Sequence, residues 1–474
     1  MYLRLAPLSA RTSPLAALGA LTLFAGTGLA QLPPVTPAPT VIPGINNQDG
    51  FGQSVAAIGD ISGDGIMDIL VGAPYALDPN NGTRPGAFYV RSGADGSTVV
   101  LSGTAPGGAI FGGTNDAEFG YAVSGLDDLV GDSFPELLVG SPAINAAQVF
   151  RGKGGGLLYN LPVPTVGNWF VGQAAPFAIA PNLFGYSVAD AGDLNGDGVR
   201  DIVVGGPSTT VTNPFTGTSN SAAGMAVIYD GATGANMMIQ ASGNGDFNGL
   251  YGMTFEESLG WSVCAAGDWD QDGFDDVAIA SRNASVGSGK VSIYSGLWIS
   301  TVNNFNPPLI PPVIADFYAA PGDLFFGNTM AFGGDMDNDG LGELVVGSLF
   351  GATVIKGGST SSVGSVLHYT PASTGAGGGM IVAAGQDLDG DGTPDYMAGP
   401  DKLDATNILG KAVAYSGLTG APLFTANSAF RASEASCLGM LPDSTGNGKA
   451  EVLIGLPQSY LGGGRKGQVS LILR

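Results

Sequence analysis

The stretch FGYSVADAGDLNGDGVRDIVVGGP, residues 184–207, decides how the chain is read. Asp193, Asn195 and Asp197 fall on alternate positions, Gly198 follows, and Asp201 comes four residues after Asp197. Short apolar runs lie on both sides, so the acidic loop joins two strands. The same run recurs along the chain. It reads FGQSVAAIGDISGDGIMDILVGAP at 51–74, FGYAVSGLDDLVGDSFPELLVGSP at 119–142 and LGWSVCAAGDWDQDGFDDVAIASR at 259–282. Further copies are FGNTMAFGGDMDNDGLGELVVGSL at 326–349 and GGMIVAAGQDLDGDGTPDYMAGP at 378–400, with a worn one, LGMLPDSTGNGKAEVLIGLP, at 438–457.

A second element follows each copy, as in GAFYVRSGADG (86–96), GMAVIYDGATG (224–234), GATVIKGG (351–358) and the final GQVSLILR (467–474). It reads as a third strand ending in a glycine turn, and a variable outer strand completes the unit. The second strand is apolar along nearly its whole length, as expected where neighbours cover both faces of a small sheet. Four-stranded units repeated in this way are propeller blades. The expected fold is therefore all-β, a seven-bladed β-propeller of four-stranded blades with calcium-binding hairpin loops. The last unit stops after its third strand. A Pro-rich segment at 31–45 is expected to supply the missing outer strand, leaving 46–474 as the propeller.

Phe-Gly, the acidic cage and Gly-Ala-Pro occur together, in order, at 51–74, and Gly-Ser-Pro and Gly-Gly-Pro close the same order at 140–142 and 205–207. In this the chain resembles the FG-GAP repeats of the integrin alpha-chain head, over essentially residues 46–474. The resemblance implies calcium in the hairpin loops between the first and second strands of a blade, and a ligand face on the opposite side. No RGD-like motif occurs, and nothing corresponds to the inserted ligand-binding domain of some integrin alpha chains. Pairing with an integrin-type beta chain is therefore not implied.

The residues themselves also point to calcium. Positions 1, 3, 5 and 9 of the loop, with the backbone carbonyl of position 7, gather hard oxygen ligands around one point. The candidate ligands are Asp60, Ser62, Asp64 and Asp68; Asp193, Asn195, Asp197 and Asp201; Asp268, Asp270, Asp272 and Asp276; Asp335, Asp337, Asp339 and Glu343; and Asp387, Asp389, Asp391 and Asp395. That makes about five structural Ca²⁺ sites. An EF-hand would carry Glu at position 12, where these loops have Val71, Val204, Ile279, Val346 and Ala398. Without a cation, each pair of neighbouring carboxylates costs about 1 kcal/mol in water and about 4 near a protein surface. The second loop has Val130 at position 3 and Ser133 where the turn glycine belongs, so it is expected to stay empty. The seventh, with Asp443, Thr445, Asn447 and Glu451, is expected to be weak or empty.

Composition narrows the function. The 474 residues include 79 glycines and 30 prolines, yet 44% are apolar, too many for a disordered chain. Arg4, Arg11, the apolar stretch 15–29 and the small residues Gly28 and Ala30 read as a secretory signal at 1–30, cleaved near Ala30. The expected location is secreted, extracellular or periplasmic, with no transmembrane segment in the mature chain. Of 17 basic residues the signal removes two and no acid, leaving 15 against 40 acidic, a net charge of −25. Such a chain is not expected to bind nucleic acid. Cys264 and Cys437 read as buried free thiols.

Catalysis has little support. The GQS, GYS and GWS triplets precede Val rather than Gly, so they are strand positions and not nucleophile elbows. His368 has no evident partner, and the carboxylates are assigned to the cages. The expected function is a non-catalytic adhesion or binding propeller for an extracellular protein or glycan; the alternative is a polysaccharide lyase or hydrolase. Long loops fall at 75–85, 104–118, 162–183, 208–223, 241–258 and 301–325. Their aromatics Trp169, Phe170, Phe177, Phe317 and Tyr318 are the expected ligand-binding residues.

Overall fold

The computed structural model describes residues 38–473, apart from 100, 102–107, 164–165, 168–176, 181, 213–218, 238–249, 252–256, 302–312, 363, 372–379, 401–408, 432–435, 458–459 and 462–463. Seven antiparallel sheets of four strands follow one another along the chain. In the third blade Ser187–Gly192 pairs with Asp201–Gly206, which pairs with Met225–Tyr229, and Leu250–Tyr251 lies outermost. Its second strand, DIVVGG, is buried at every position, as the second strands of the first, second, fourth, fifth and seventh blades also are. The apolar run legible in the sequence is thus the sheet's middle, covered on both faces.

The last blade consists of Cys437–Leu441, Glu451–Leu456 and Gln468–Ile472, and its outer strand is Thr40–Pro43 from the other end of the chain. Thr40 pairs with Leu471 and Pro43 with Gln468. The ring is closed by covering the last sheet's free edge rather than leaving it open for another chain.

Among the described residues the apolar core divides into seven clusters, each wedged between two neighbouring blades. One of them joins the last blade to the first through Leu453, Leu471, Val71 and Tyr89. Cys264 is buried and Cys437 partly buried, and both are free thiols. Backbone contact reinforces these joints. Gly185, the glycine of Phe184-Gly185, has φ +89°, a conformation that L side chains rarely adopt. Its carbonyl oxygen would lie 2.1 Å from a Cβ at Gly140 of the preceding blade. Hydroxyls two residues after the Phe-Gly glycine fasten the joint to the following blade: Ser54 Oγ donates to Gly120 O at 3.1 Å and Ser187 Oγ to Gly260 O at 2.9 Å. Ser436 Oγ donates to Gly52 O at 3.0 Å across the ring closure.

Two stretches read as loops carry strands. Val166–Gly167, Phe177–Ala180, Thr210–Thr212 and Ser219–Asn220 form a further four-stranded sheet from 162–183 and 208–223. Connections between blades and between second and third strands emerge on one side of an antiparallel meander, opposite the first-to-second-strand loops. This sheet therefore decorates the side away from the acidic loops. No described helix is long and apolar enough to cross a membrane.

Candidate functional site

The seven acidic loops share one scaffold. In each, the first aspartate takes up backbone amides of the turn. Asp193 Oδ1 accepts from Gly196 N at 2.7 Å and Asp197 N at 3.1 Å, and its Oδ2 from Gly198 N at 2.9 Å. The amide at position 6 donates to that aspartate in every blade, from Gly65, Ser133, Gly198, Gly273, Gly340, Gly392 and Gly448. Position 9 is buried in all seven. In the third blade Asp201 Oδ2 accepts from Leu194 N at 2.9 Å and Oδ1 from Gly231 N at 3.0 Å. That second bond ties the end of the third strand to the acidic loop, and it recurs from Gly296, Gly357 and Gly417 in the next three blades.

Burial is the largest influence on these ninth-position carboxyls. It pushes Asp68 up to about 6 and Glu136, Asp201, Asp276 and Asp395 up to about 7. Neighbouring loop acids add to it, such as Asp132 and Asp128 beside Glu136. A cation among them would oppose both effects.

Four loops draw three acidic side chains together, with ligand atoms within 4.8 Å of one another. The sets are Asp268, Asp270 and Asp276; Asp335, Asp337 and Asp339; Asp387, Asp389 and Asp395; and Asp128, Asp132 and Glu136. The first and third loops, with Ser62 and Asn195 at position 3, keep the scaffold without so tight a group. The second loop departs from its expected defect. Ser133 takes φ +70°, so a non-glycine residue makes the turn that glycine makes elsewhere. Glu136 Oε1 is buried with no hydrogen-bond partner, as are Asp68 Oδ1 and Glu451 Oε2. Among the described residues the second loop alone combines a tight acidic group with such an orphaned oxygen, so its donors fit a hard cation well.

The fifth loop differs again. The Lys356 ammonium pairs with Asp337 and lies 2.7 Å from Asp339 Oδ2. Hydrogen bonds to these two carboxylates push the lysine up, and the lysine holds Asp339 below the usual carboxylate range.

At the opposite end of the inner strands lies a cavity of about 590 Å³, lined from all seven blades. Tyr121, Tyr186 and Trp261, at one repeat position in three successive blades, form a continuous row there. Tyr121 and Tyr186 have ring centroids 5.2 Å apart, and Tyr186 and Trp261 5.0 Å. Arg282 lies beyond them, its Cζ 4.3 Å from the Trp261 ring centroid and 3.9 Å from that of Phe325, with Nε donating to Asn328 Oδ1 at 2.9 Å. Gln53, Asn328 and Ser436 line the polar side.

A family model of the FG-GAP repeat matches residues 51–90 and 259–294. Those two stretches are FG-GAP repeats. The chain is similar to integrin alpha chains over part of its length. Integrin alpha-5 of Xenopus laevis is 32% identical over 175 residues, integrin alpha-6 of Homo sapiens 31% over 167, and integrin alpha pat-2 of Caenorhabditis elegans 35% over 126. These alignments cover 34%, 34% and 27% of this chain, and only 15%, 13% and 9% of the relatives' own lengths.

The blades distribute the sequence-predicted ligand residues unevenly. Trp169 and Phe170 lie outside the described residues. Phe177 is in a strand of the added sheet. Phe317 is 1% exposed and packs edge-on against Trp269 at 5.9 Å, so it is core between the fourth and fifth blades and not a ligand contact. Its neighbour Tyr318, on the other face of the strand, is 46% exposed. His368 Nε2 lies 2.6 Å from Gly417 O, a structural tie between blades. The GYS and GWS triplets carried a signal that their reading as strand positions left unused. The serines of GQS and of GYS at 185–187 fasten blades, while the aromatic before the serine in GYS and GWS faces the axial cavity.

Proposed function

We propose that the chain is a secreted binding propeller, stabilised by Ca²⁺ in its acidic loops, that holds an extracellular protein or glycan at the axial mouth without catalysing a reaction. The observation that carries this reading is the aromatic row Tyr121–Tyr186–Trp261 in a cavity facing away from the acidic loops. Aromatic faces beside amide and hydroxyl groups suit a sugar, which presents an apolar ring face and a hydroxyl edge. A protein loop is the second reading, favoured by the likeness to integrin alpha chains. Export rests on the sequence of residues 1–30. Calcium is supported by the all-oxygen donor sets and by the orphaned Asp68 and Glu136 oxygens.

The test is a glycan array alongside a pull-down of extracellular proteins, repeated with Trp261→Ala. An anchoring aromatic is worth about 2 kcal/mol or more, so this variant should bind the captured ligand about 30-fold more weakly with calcium binding unchanged. Undiminished binding would remove the axial mouth from consideration. Depolymerisation of a polysaccharide panel by the purified protein would replace the binding reading with the enzymatic one.

A further inference from the structure

The fifth acidic loop has a complete set of ligand residues in its sequence, yet it already contains a positive charge. Lys356 is the residue before Gly357, whose amide donates to Glu343 Oε1 at 3.2 Å. This bond fixes the end of the third strand against the loop, so the side chain one residue earlier reaches positions 3 and 5. Elsewhere the same position carries other chemistry. Ser92 Oγ lies 3.5 Å from Asp64 Oδ2 in the first blade, and Asp230 Oδ2 lies 3.4 Å from Asn195 Nδ2 in the third. The position therefore reaches the cage in the first, third and fifth blades, with a charge that runs from negative at Asp230 through neutral at Ser92 to positive at Lys356, while Ser295 and Ser416 accept instead from Trp298 N and Thr419 N of their own turns.

We propose that Lys356 is the resident cation of the fifth loop, its ammonium taking the place that a divalent cation takes in the sister loops. The inference rests on the proposed calcium role of those loops. An ammonium offers three donors to the carboxylates around it. Asp337 and Asp339 accept two of them, while both Glu343 oxygens are engaged by Met336 N and Gly357 N. A divalent ion entering the same space would have to displace the lysine and then sit beside its charge, a repulsion twice that between unit charges. Asp230 works in the opposite sense, adding an acid to a loop whose position 3 is an uncharged asparagine. Charge at this position is not enough by itself: Arg151, its equivalent in the second blade, acts on Glu136 through its charge and forms no ion pair with the loop, whereas the Lys356 ammonium reaches two of its carboxylates.

The experiment counts calcium ions per full-length chain by native mass spectrometry. Wild type is compared with Asp335→Asn, Lys356→Met, the double variant and Asp193→Asn. Asp335→Asn alone should leave the count unchanged, because the fifth loop holds no calcium to lose. Lys356→Met should gain one ion, and adding Asp335→Asn to it should remove that ion again. Loss of an ion from Asp335→Asn alone, or no gain in a folded Lys356→Met, would overturn the proposal. Should Lys356→Met fail to fold, Lys356→Gln and the Asp335→Asn count decide in its place. Asp193→Asn separates the two claims. If it loses no ion, the calcium reading of the sister loops fails, whatever Lys356→Met does.

Discussion

The second and fifth acidic loops occupy the same place in their blades, hang on the same amide scaffold, and balance their charge in different ways. In the second, Asp128, Asp132 and Glu136 converge without an ion pair: Arg151, at the place of Lys356, acts on Glu136 only through its charge, and a buried Glu136 oxygen has no partner. In the fifth, three aspartates converge around Lys356, and the buried glutamate is fully bonded. Convergence of acids is therefore not in itself a demand for metal. What separates the loops is whether the basic residue at the end of the third strand pairs with the loop acids, as Lys356 does and Arg151 does not.

Removing calcium altogether should have the largest effect. A site saturated at 100 times its Kd adds about 2.7 kcal/mol. Several such loops around one ring should lower the melting temperature in EDTA by on the order of 10 °C, with recovery on adding calcium. A melting curve that does not move would break the comparison, because neither loop would then need a cation.

Single-loop variants should sharpen it. Asp132→Ala should remove one calcium and cost about 2–3 kcal/mol at saturating calcium. Asp339→Ala should remove none. It breaks a partly exposed pair with Lys356 and should cost no more than about 1 kcal/mol. Equal calcium loss from both would erase the distinction between the loops.

The smallest effect concerns the turn itself. Ser133 at φ +70° bears a strain that glycine would not, so Ser133→Gly should stabilise the protein by about 0.5–1 kcal/mol in chemical denaturation. The calcium count should not change. A destabilised variant would mean that the serine side chain, rather than the turn, holds the second loop in shape.

The repeat was legible in the sequence because each blade needs the same things from its residues: a glycine where backbones touch, an apolar second strand, and an acid to cap the turn. Those requirements are local and recur in order. Lys356 was not legible as a loop partner, because it lies 17 residues beyond Asp339 and meets it only through the bond from Gly357 to Glu343. The axial aromatics were visible but unread. A strand alternates its faces, and nothing within a single blade shows which face meets the other six. The same alternation decided between Phe317 and Tyr318, adjacent aromatics of which one is core and the other surface. Ser133 misled for a different reason: glycine is the easiest residue at a positive φ, not the only one able to adopt it.

The most direct measurement is an anomalous difference map from crystals grown in calcium. The account predicts peaks in the first, second, third, fourth and sixth loops, and none in the fifth, where the Lys356 ammonium stays between Asp337 and Asp339. Loops without peaks throughout, or a peak in the fifth with Lys356 turned out to solvent, would contradict it.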